Sequence, residues 1–538
     1  MKKRNDSQAQ SNLIFQQARR SHQSGEISRA VTLYGQVLSE QPRHTDSLYH
    51  LGEIAFRAGN LEQSATLLNR LLQIDPQYAA AYDILWQVCQ ASGDNAGAIR
   101  VLERRLELRP RDAYCHFNIG VLQQMAGNLQ AARQSFEEAL RWKSDDARLH
   151  GQYGSLLRQM NQPQAAVEAF SKAVLFDPRN AMLHSNLGYL LLRQGKTEEA
   201  IRHYDKAVAL MPGDEMIRSN RAQALLRAGQ LQEGFAEAER RLQLKEYQPQ
   251  LANYQAIPRW LGEPVQGKTL LVHHEQSLVD TLQFARYLPM VKATGVRLIL
   301  AVPKTLQRVF SNLNYIDRVI EDTPDSIRTC QADKVVSLLS LPALFQTSLA
   351  TIPSHTPYLF ADPFLTHSWS LRMDWKKLRV GLAWDGGLHD LLPLAAIQNI
   401  SYYSLQRNQL VQAVANPVRE FPLIDAAAGL DDFADSAALL ANLDLVITAD
   451  TAVAHLASAM GRQVWMLLPN EAHARWLDKI AASPWYPTMR LFRQTVPGDW
   501  KTVIRQVVAA LGELPGPHQE ILRIERKSST ALAEAALI

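Results

Sequence analysis

Residues 446–469 read VITADTAVAHLASAMGRQVWMLLP, and this pattern decides the class of the second half of the chain. Residues 443–449 form an apolar run of strand length. Asp450 and Thr451 follow where a helix opens, so that a side-chain oxygen can cap free backbone N–H groups. The pattern predicts a helix over 452–460, with His455 one turn in, and a buried strand over 464–468 after Gly461. In a doubly wound α/β sheet, the place where a strand's carboxyl end meets a helix N-terminus binds phosphate groups. An ordinary strand–cap–helix fits the same residues.

Upstream, strands are expected over 268–274, 296–302, 318–321, 334–339, 379–384 and 402–405, alternating with helical stretches. That alternation argues for parallel sheets with crossovers. The loop Glu275-Gln276-Ser277-Leu278-Val279-Asp280 leads into a helix expected from Thr281, with Asp280 as a candidate N-cap. Asp431, Asp432 and Asp435 precede a helix expected over 436–442, where acidic residues suit the first turn. Trp485, Tyr486 and Trp500 are expected to pack between helix and sheet rather than to stack on a base.

The N-terminal half repeats every 34 residues. Prolines at 42, 76, 110, 178 and 212 keep that period, with Ser144 in the vacant slot. Gly25, Gly59, Gly93, Gly127, Gly195 and Gly229 keep it too, with Asn161 as the exception, and so do the small residues Ala30, Ser64, Ala98, Ala132, Ala166, Ala200 and Gly234. This is the tetratricopeptide signature: a small residue for close helix contact, a turn residue tolerant of positive φ, and a proline to end the helix pair. About seven repeats over 11–242 predict an all-α solenoid with a groove. At one repeat position stand Asn118, Gln152, Asn186 and Asn220, with His50 and Ile84 in the earlier slots. Amides there can pair donor and acceptor groups of an extended peptide, or satisfy neighbouring loops.

The resulting division is 1–10 disordered, 11–244 repeat solenoid, 245–262 linker, 263–377 and 378–514 two Rossmann-like halves, and 515–538 a tail. A chain of 538 residues is too long for one core. Its net charge of +4 makes no demand for nucleic acid or an anionic membrane. Cys89, Cys115 and Cys330 show neither disulfide nor metal spacing, and no metal site is expected. The N-terminus lacks the apolar core of a signal peptide, and no run is long enough to span a bilayer, so a cytoplasmic location is expected.

The stretch DTAVAHLASAMG, with ARWL at 474–477, SPWYPTMRLFRQ at 483–494 and PGDW at 497–500, resembles the heptosyltransferase-like (family 9) glycosyltransferases. The resemblance covers residues 255–512 and is nearest to that family's tetratricopeptide-containing branch. It implies a GT-B architecture of two Rossmann-like halves facing a cleft. It implies a metal-independent transfer with no cofactor, in which a nucleotide-diphosphate sugar is the co-substrate. Asp280 matches the family's proposed general base, while Asp450, Thr451, His455 and Arg475 match its donor side. Two family glycines are replaced by Ser277 and Val279, and the loop 385–391 lacks the family's cation; Arg407 and Arg475 are the candidate substitutes. The amides at 118, 152, 186 and 220 are similar to the asparagine ladder of protein O-GlcNAc transferases, which implies a polypeptide acceptor in the groove. Three readings compete: an active transferase, a degenerate one kept as a scaffold, and a repeat adaptor. Self-association of the array stays open.

Overall fold

The computed structural model describes residues 2–245, 247–384, 388–406, 423–478 and 480–514. It divides into two compact units, Met1–Leu190 and Leu191–Ile538. The first holds antiparallel helix pairs: α1 (Lys2–Gln23) with α2 (Ile27–Glu40), α3 (Thr45–Arg57) with α4 (Leu61–Ile74), and α5 (Ala79–Ser92) with α6 (Asn95–Leu108). Next come α7 (Ala113–Met125) with α8 (Leu129–Trp142), then α9 (Ala147–Gln159) with α10 (Pro163–Phe176), and the start of α11 (Ala181–Arg193). The helix α1 begins at Lys2, so residues 2–10 are helical rather than disordered as expected.

Sequence periodicity maps directly onto packing. Ala30, Ser64, Ala98, Ala132 and Ala166 are all fully buried or nearly so where paired helices touch. A second small position lies opposite. At Gly154 on α9, a Cβ would stand 2.7 Å from the Phe170 ring on α10. The turn glycines all have positive φ, and Asn161 takes its glycine's slot at φ 57°. The prolines stand just past the second helix of each pair, whose next turn they block.

The second unit opens with α12 (Thr197–Leu210), α13 (Glu215–Arg227) and α14 (Leu231–Ala238). The boundary by contact thus falls inside the repeats, ahead of the expected one at 244. The expected linker is folded: Tyr254 stacks on His273 at 3.8 Å, and Arg259 bridges to Val335.

Two parallel sheets follow. The first has β1 (Thr269–His273), β2 (Arg297–Val302), β3 (Arg318–Glu321) and β4 (Lys334–Ser337), in the order β3-β2-β1-β4. The second has β5 (Leu378–Ala383), β6 (Ile400–Ser404), β7 (Leu423–Asp425), β8 (Leu445–Thr448), β9 (Val464–Leu468) and β10 (Met489–Arg493). Its order, β7-β6-β5-β8-β9-β10, is the 3-2-1-4-5-6 order of a dinucleotide-type sheet. Leu270, Leu271, Val272 and all of β9 are buried, as strands covered on both faces must be. The strand order reverses beside β1 and β4 in one sheet, and beside β5 and β8 in the other. Helices α15 (Leu278–Phe284) and α18 (Ala452–Ala459) follow β1 and β8, with α16 (Lys304–Ser311) and α17 (Phe433–Ala441) between them. The helix α19 (Trp500–Gly512) covers the second sheet, where Val503, Ile504 and Val507 are buried. One continuous apolar core runs from Leu231 and Phe235 of α14 through both sheets.

The close pairing in the repeats is testable. Gly154→Val should overpack against Phe170 and cost about 1–3 kcal/mol. Urea denaturation followed by circular dichroism should show an earlier midpoint; an unchanged one would contradict the packing account.

Candidate functional site

Ser277, not Asp280, caps α15. The Ser277 hydroxyl accepts from the Asp280 amide at 3.1 Å and donates to Asp280 Oδ2 at 2.6 Å. Asp280 therefore lies in the first turn of the helix with its carboxylate held from behind. Neither Ser277 nor Val279 is strained by replacing glycine. Ser277 is extended at φ −126°, Val279 is helical, and the left-handed residue of the loop is Gln276 at φ 63°.

The other Asp280 oxygen accepts from Arg475 Nη2 at 2.8 Å, and both side chains are nearly buried. Arg475 comes from the loop after β9, so the ion pair crosses from one sheet's layer to the other's. The same guanidinium donates to Gln283 Oε1 through Nη1 and to His473 Nδ1 through Nε at 3.1 Å. Its backbone oxygen accepts from Trp485 Nε1 at 2.9 Å. Beside the pair lies a cavity of about 120 Å³, lined in part by Gln276, Asp280, Gln283, Arg475 and Arg241. Gln283 is fully buried there, and its Nε2 donor has no partner.

Asp450 and Thr451 divide their work. Thr451 caps α18, accepting from the Ala454 amide, while Asp450 turns to the side. Asp450 Oδ2 accepts from Trp476 Nε1 at 2.7 Å, and Oδ1 lies 3.1 Å from His455 Nε2. The other ring nitrogen of His455 lies 2.9 Å from the Tyr486 hydroxyl. His455 is fully buried, and burial lowers its pKa, leaving a neutral ring at pH 7. The network then assigns one tautomer: Nε2–H donates to Asp450, and Nδ1 accepts from Tyr486. Burial works against ionising Asp450. The His455 and Trp476 hydrogen bonds and the Arg475 charge outweigh it and hold the carboxyl well below the usual range. His455 thus has both ring nitrogens engaged by Asp450 and Tyr486.

Several contacts are invisible to local sequence reading. Arg241, just after α14, makes a two-pronged ion pair with Glu275 at 2.7 and 2.9 Å, anchoring the loop 275–280 to the end of the repeats. Arg227 of α13 pairs with Asp478 at 2.6 Å. Arg286 is buried and donates to the Trp485 carbonyl at 2.5 Å, with its guanidinium over the rings of Tyr358, Trp485 and Tyr486. Trp485 and Tyr486 are core residues, as expected, and Trp500 packs edge-on against Trp384 at 4.6 Å. Asp432 is the cap of α17, in a reciprocal box with Asp435, and both carboxylates take Arg308 of α16.

The four amides do not behave alike. Asn118 is buried, and its Nδ2 donates to the Tyr114 carbonyl of its own helix at 2.8 Å, which removes it from an open ladder. Gln152 and Asn220 are half-buried and Asn186 is exposed. Residues 385–387, Arg407 and the tail 515–538 lie outside the described residues, as do the side chains of Leu388 and His389. Among the described residues no helix is long and apolar enough to cross a membrane.

The tetratricopeptide-repeat family matches residues 21–87, and again 90–147 and 154–215. Residues 21–215 carry tetratricopeptide repeats. Protein FlbA of Caulobacter vibrioides is 28% identical over 292 residues, which are 47% of this chain and 48% of FlbA. The chain thus spans about half the length of that curated relative. Among solved structures, MamA aligns at 21% identity over 32% of this chain and 94% of its own, with a TM-score of 0.29. PilF of Pseudomonas aeruginosa aligns at 23% over 39% and 96%, with a TM-score of 0.33. YrrB, described as a TPR protein with an unusual peptide-binding site, aligns at 17% over 34% and 95%, with a TM-score of 0.31.

The Asp450 network has a pH signature. Its folded pKa is depressed, so its contribution is present above the unfolded value of about 3.9 and is lost as pH falls below it. Asp450→Asn should lower stability at pH 7 by roughly 2 kcal/mol. The gap from wild type should shrink below about pH 4 in urea midpoints read by tryptophan fluorescence. A gap independent of pH would contradict the assignment.

Proposed function

We propose that the chain is a repeat-guided glycosyltransferase: the tetratricopeptide groove holds a polypeptide, and the paired α/β halves, in a GT-B arrangement, take a nucleotide sugar. The repeats support the first part, since a polypeptide partner is what such arrays bind. The observation carrying the second part is a convergence at the strand-order reversals of both sheets. Asp280 follows β1, Asp450 and Thr451 follow β8, and Arg475 reaches between them. Ligands of open α/β sheets bind at such points. Gln283, whose buried Nε2 has no partner among the described residues, lines the same cavity.

In this reading the ion pair is the resting state of the cleft. A donor phosphate exchanges with the Asp280 carboxylate on Arg475, assisted by the α18 N-terminus capped by Thr451. The freed Asp280 accepts the proton of the acceptor hydroxyl as that oxygen bonds to the sugar's anomeric carbon. The bond from that carbon to the phosphate oxygen breaks, and the nucleotide leaves with its electron pair on an oxygen that Arg475 stabilises. The Asp450–His455–Tyr486 chain sets the position of Trp476, next to Arg475. Asn186, with Gln152, offers amides to the polypeptide.

A second reading, a binding scaffold without turnover, draws on the same ion pair. Asp280 and Arg475 neutralise each other, and a cavity of about 120 Å³ is small beside the ~300–1,000 Å³ of usual ligand sites. Calorimetric titration of the full chain with UDP, ADP, GDP and CMP, and their sugar conjugates, separates the two. Transfer requires micromolar binding of one of them, weakened at least tenfold by Arg475→Ala. Asp280→Asn should bind that nucleotide several-fold more tightly, because its competitor for Arg475 is gone, yet transfer nothing. Silence across the panel would leave the scaffold reading standing.

A further inference from the structure

We propose that His22, His50 and Glu53 form a binding site for one zinc-class divalent ion, clamping α1 to α3 in the first repeats. No metal site is expected from sequence spacing, since His22 stands 28 residues before His50 and 31 before Glu53. Folding brings them together. His22 is in the last turn of α1, while His50 and Glu53 sit one turn apart on α3. One ligand atom from each lies within 4.8 Å of the others. His50 Nδ1 faces Glu53 Oε2 at 3.5 Å, and the two imidazole rings meet edge to face at 5.6 Å.

Two further features point to an ion rather than to plain packing. Among the described residues His50 Nδ1 is buried with no hydrogen-bond partner, and so is the hydroxyl of Tyr34, whose ring stacks on His50 at 5.3 Å. His50 Nδ1 and Glu53 Oε2 thus already face each other, as two ligand atoms of one ion would. Glu53 is already oriented: its Oε1 takes Arg57 at 2.7 Å, which leaves Oε2 for the ion.

Two imidazoles and one carboxylate suit zinc, cobalt or nickel better than magnesium or calcium. Ligand atoms of a tetrahedral zinc lie about 3.4 Å apart. The three groups must therefore close by roughly an ångström, which rotamer changes of half-buried side chains supply. Three protein ligands leave the fourth position to water. His50 also occupies the slot that holds an amide in later repeats, so this end of the array has traded a peptide-binding position for a ligand.

The test is calorimetric titration of the chelator-stripped full chain with zinc chloride, with cobalt chloride followed by visible absorption. One zinc per chain with Kd below about 10 μM is expected, and cobalt should give the intense bands of a tetrahedral site. His22→Ala, at a half-exposed helix end where folding is least at risk, should weaken zinc at least tenfold, as should His50→Ala. Glu53→Gln should weaken it less, and His116→Ala on α7 should leave it unchanged. Zinc should raise the thermal transition of the wild type but not of His22→Ala. No stoichiometric zinc on the wild type, or undiminished binding by His22→Ala, overturns the proposal.

Discussion

A charge withdrawn from water must find a partner, and the α/β unit meets that constraint with the Asp280–Arg475 ion pair. Each residue belongs to a different sheet layer, so satisfying the charges also sets how the layers meet. Arg475 is held by Gln283 and His473 as well, and Asp280 by Ser277, so neither side chain swings freely. Arg286 does the same structural work deeper down, with a carbonyl and three aromatic rings around its guanidinium. The two arginines differ in one respect that matters. Among the described residues Arg286 has only neutral partners, whereas Arg475 holds a carboxylate.

The last repeats belong to this arrangement rather than to a detached arm. Arg241 locks the Glu275 loop, Arg227 takes Asp478 beside the Arg475 segment, and Leu231 and Phe235 enter the common core. Any strain on α13 or α14 is therefore felt on both loops that carry the candidate site. This couples a repeat segment to the candidate site through buried charge pairs, which resist gradual deformation because breaking one partner leaves the other stranded.

The sequence made the repeats legible because their constraint is local and periodic. Asn161 stands where six repeats place glycine, and it adopts the same left-handed turn. Strands buried on both faces were legible for a similar reason, and β3 and β9 fall on the expected residues. Caps were harder. Ser277, rather than Asp280, holds the N-cap position, because a serine and an aspartate three residues apart can exchange roles without changing the pattern. The pairings that define the site were not legible at all. Asp280 and Arg475 are separated by 195 residues, and Arg241 and Glu275 by 34 across a sheet edge, and no local periodicity encodes such meetings. Val279 needs no glycine-like backbone, because Gln276 carries the positive φ of this loop.

The most direct measurement is the intact mass of a polypeptide that copurifies with the chain from cells making either the wild type or Asp280→Asn. The account requires a sugar-sized mass increment on the partner of the wild type and none on the partner of Asp280→Asn, with both variants retaining the partner. A partner held equally by both and unmodified in both would contradict transfer and make the α/β unit a binding scaffold.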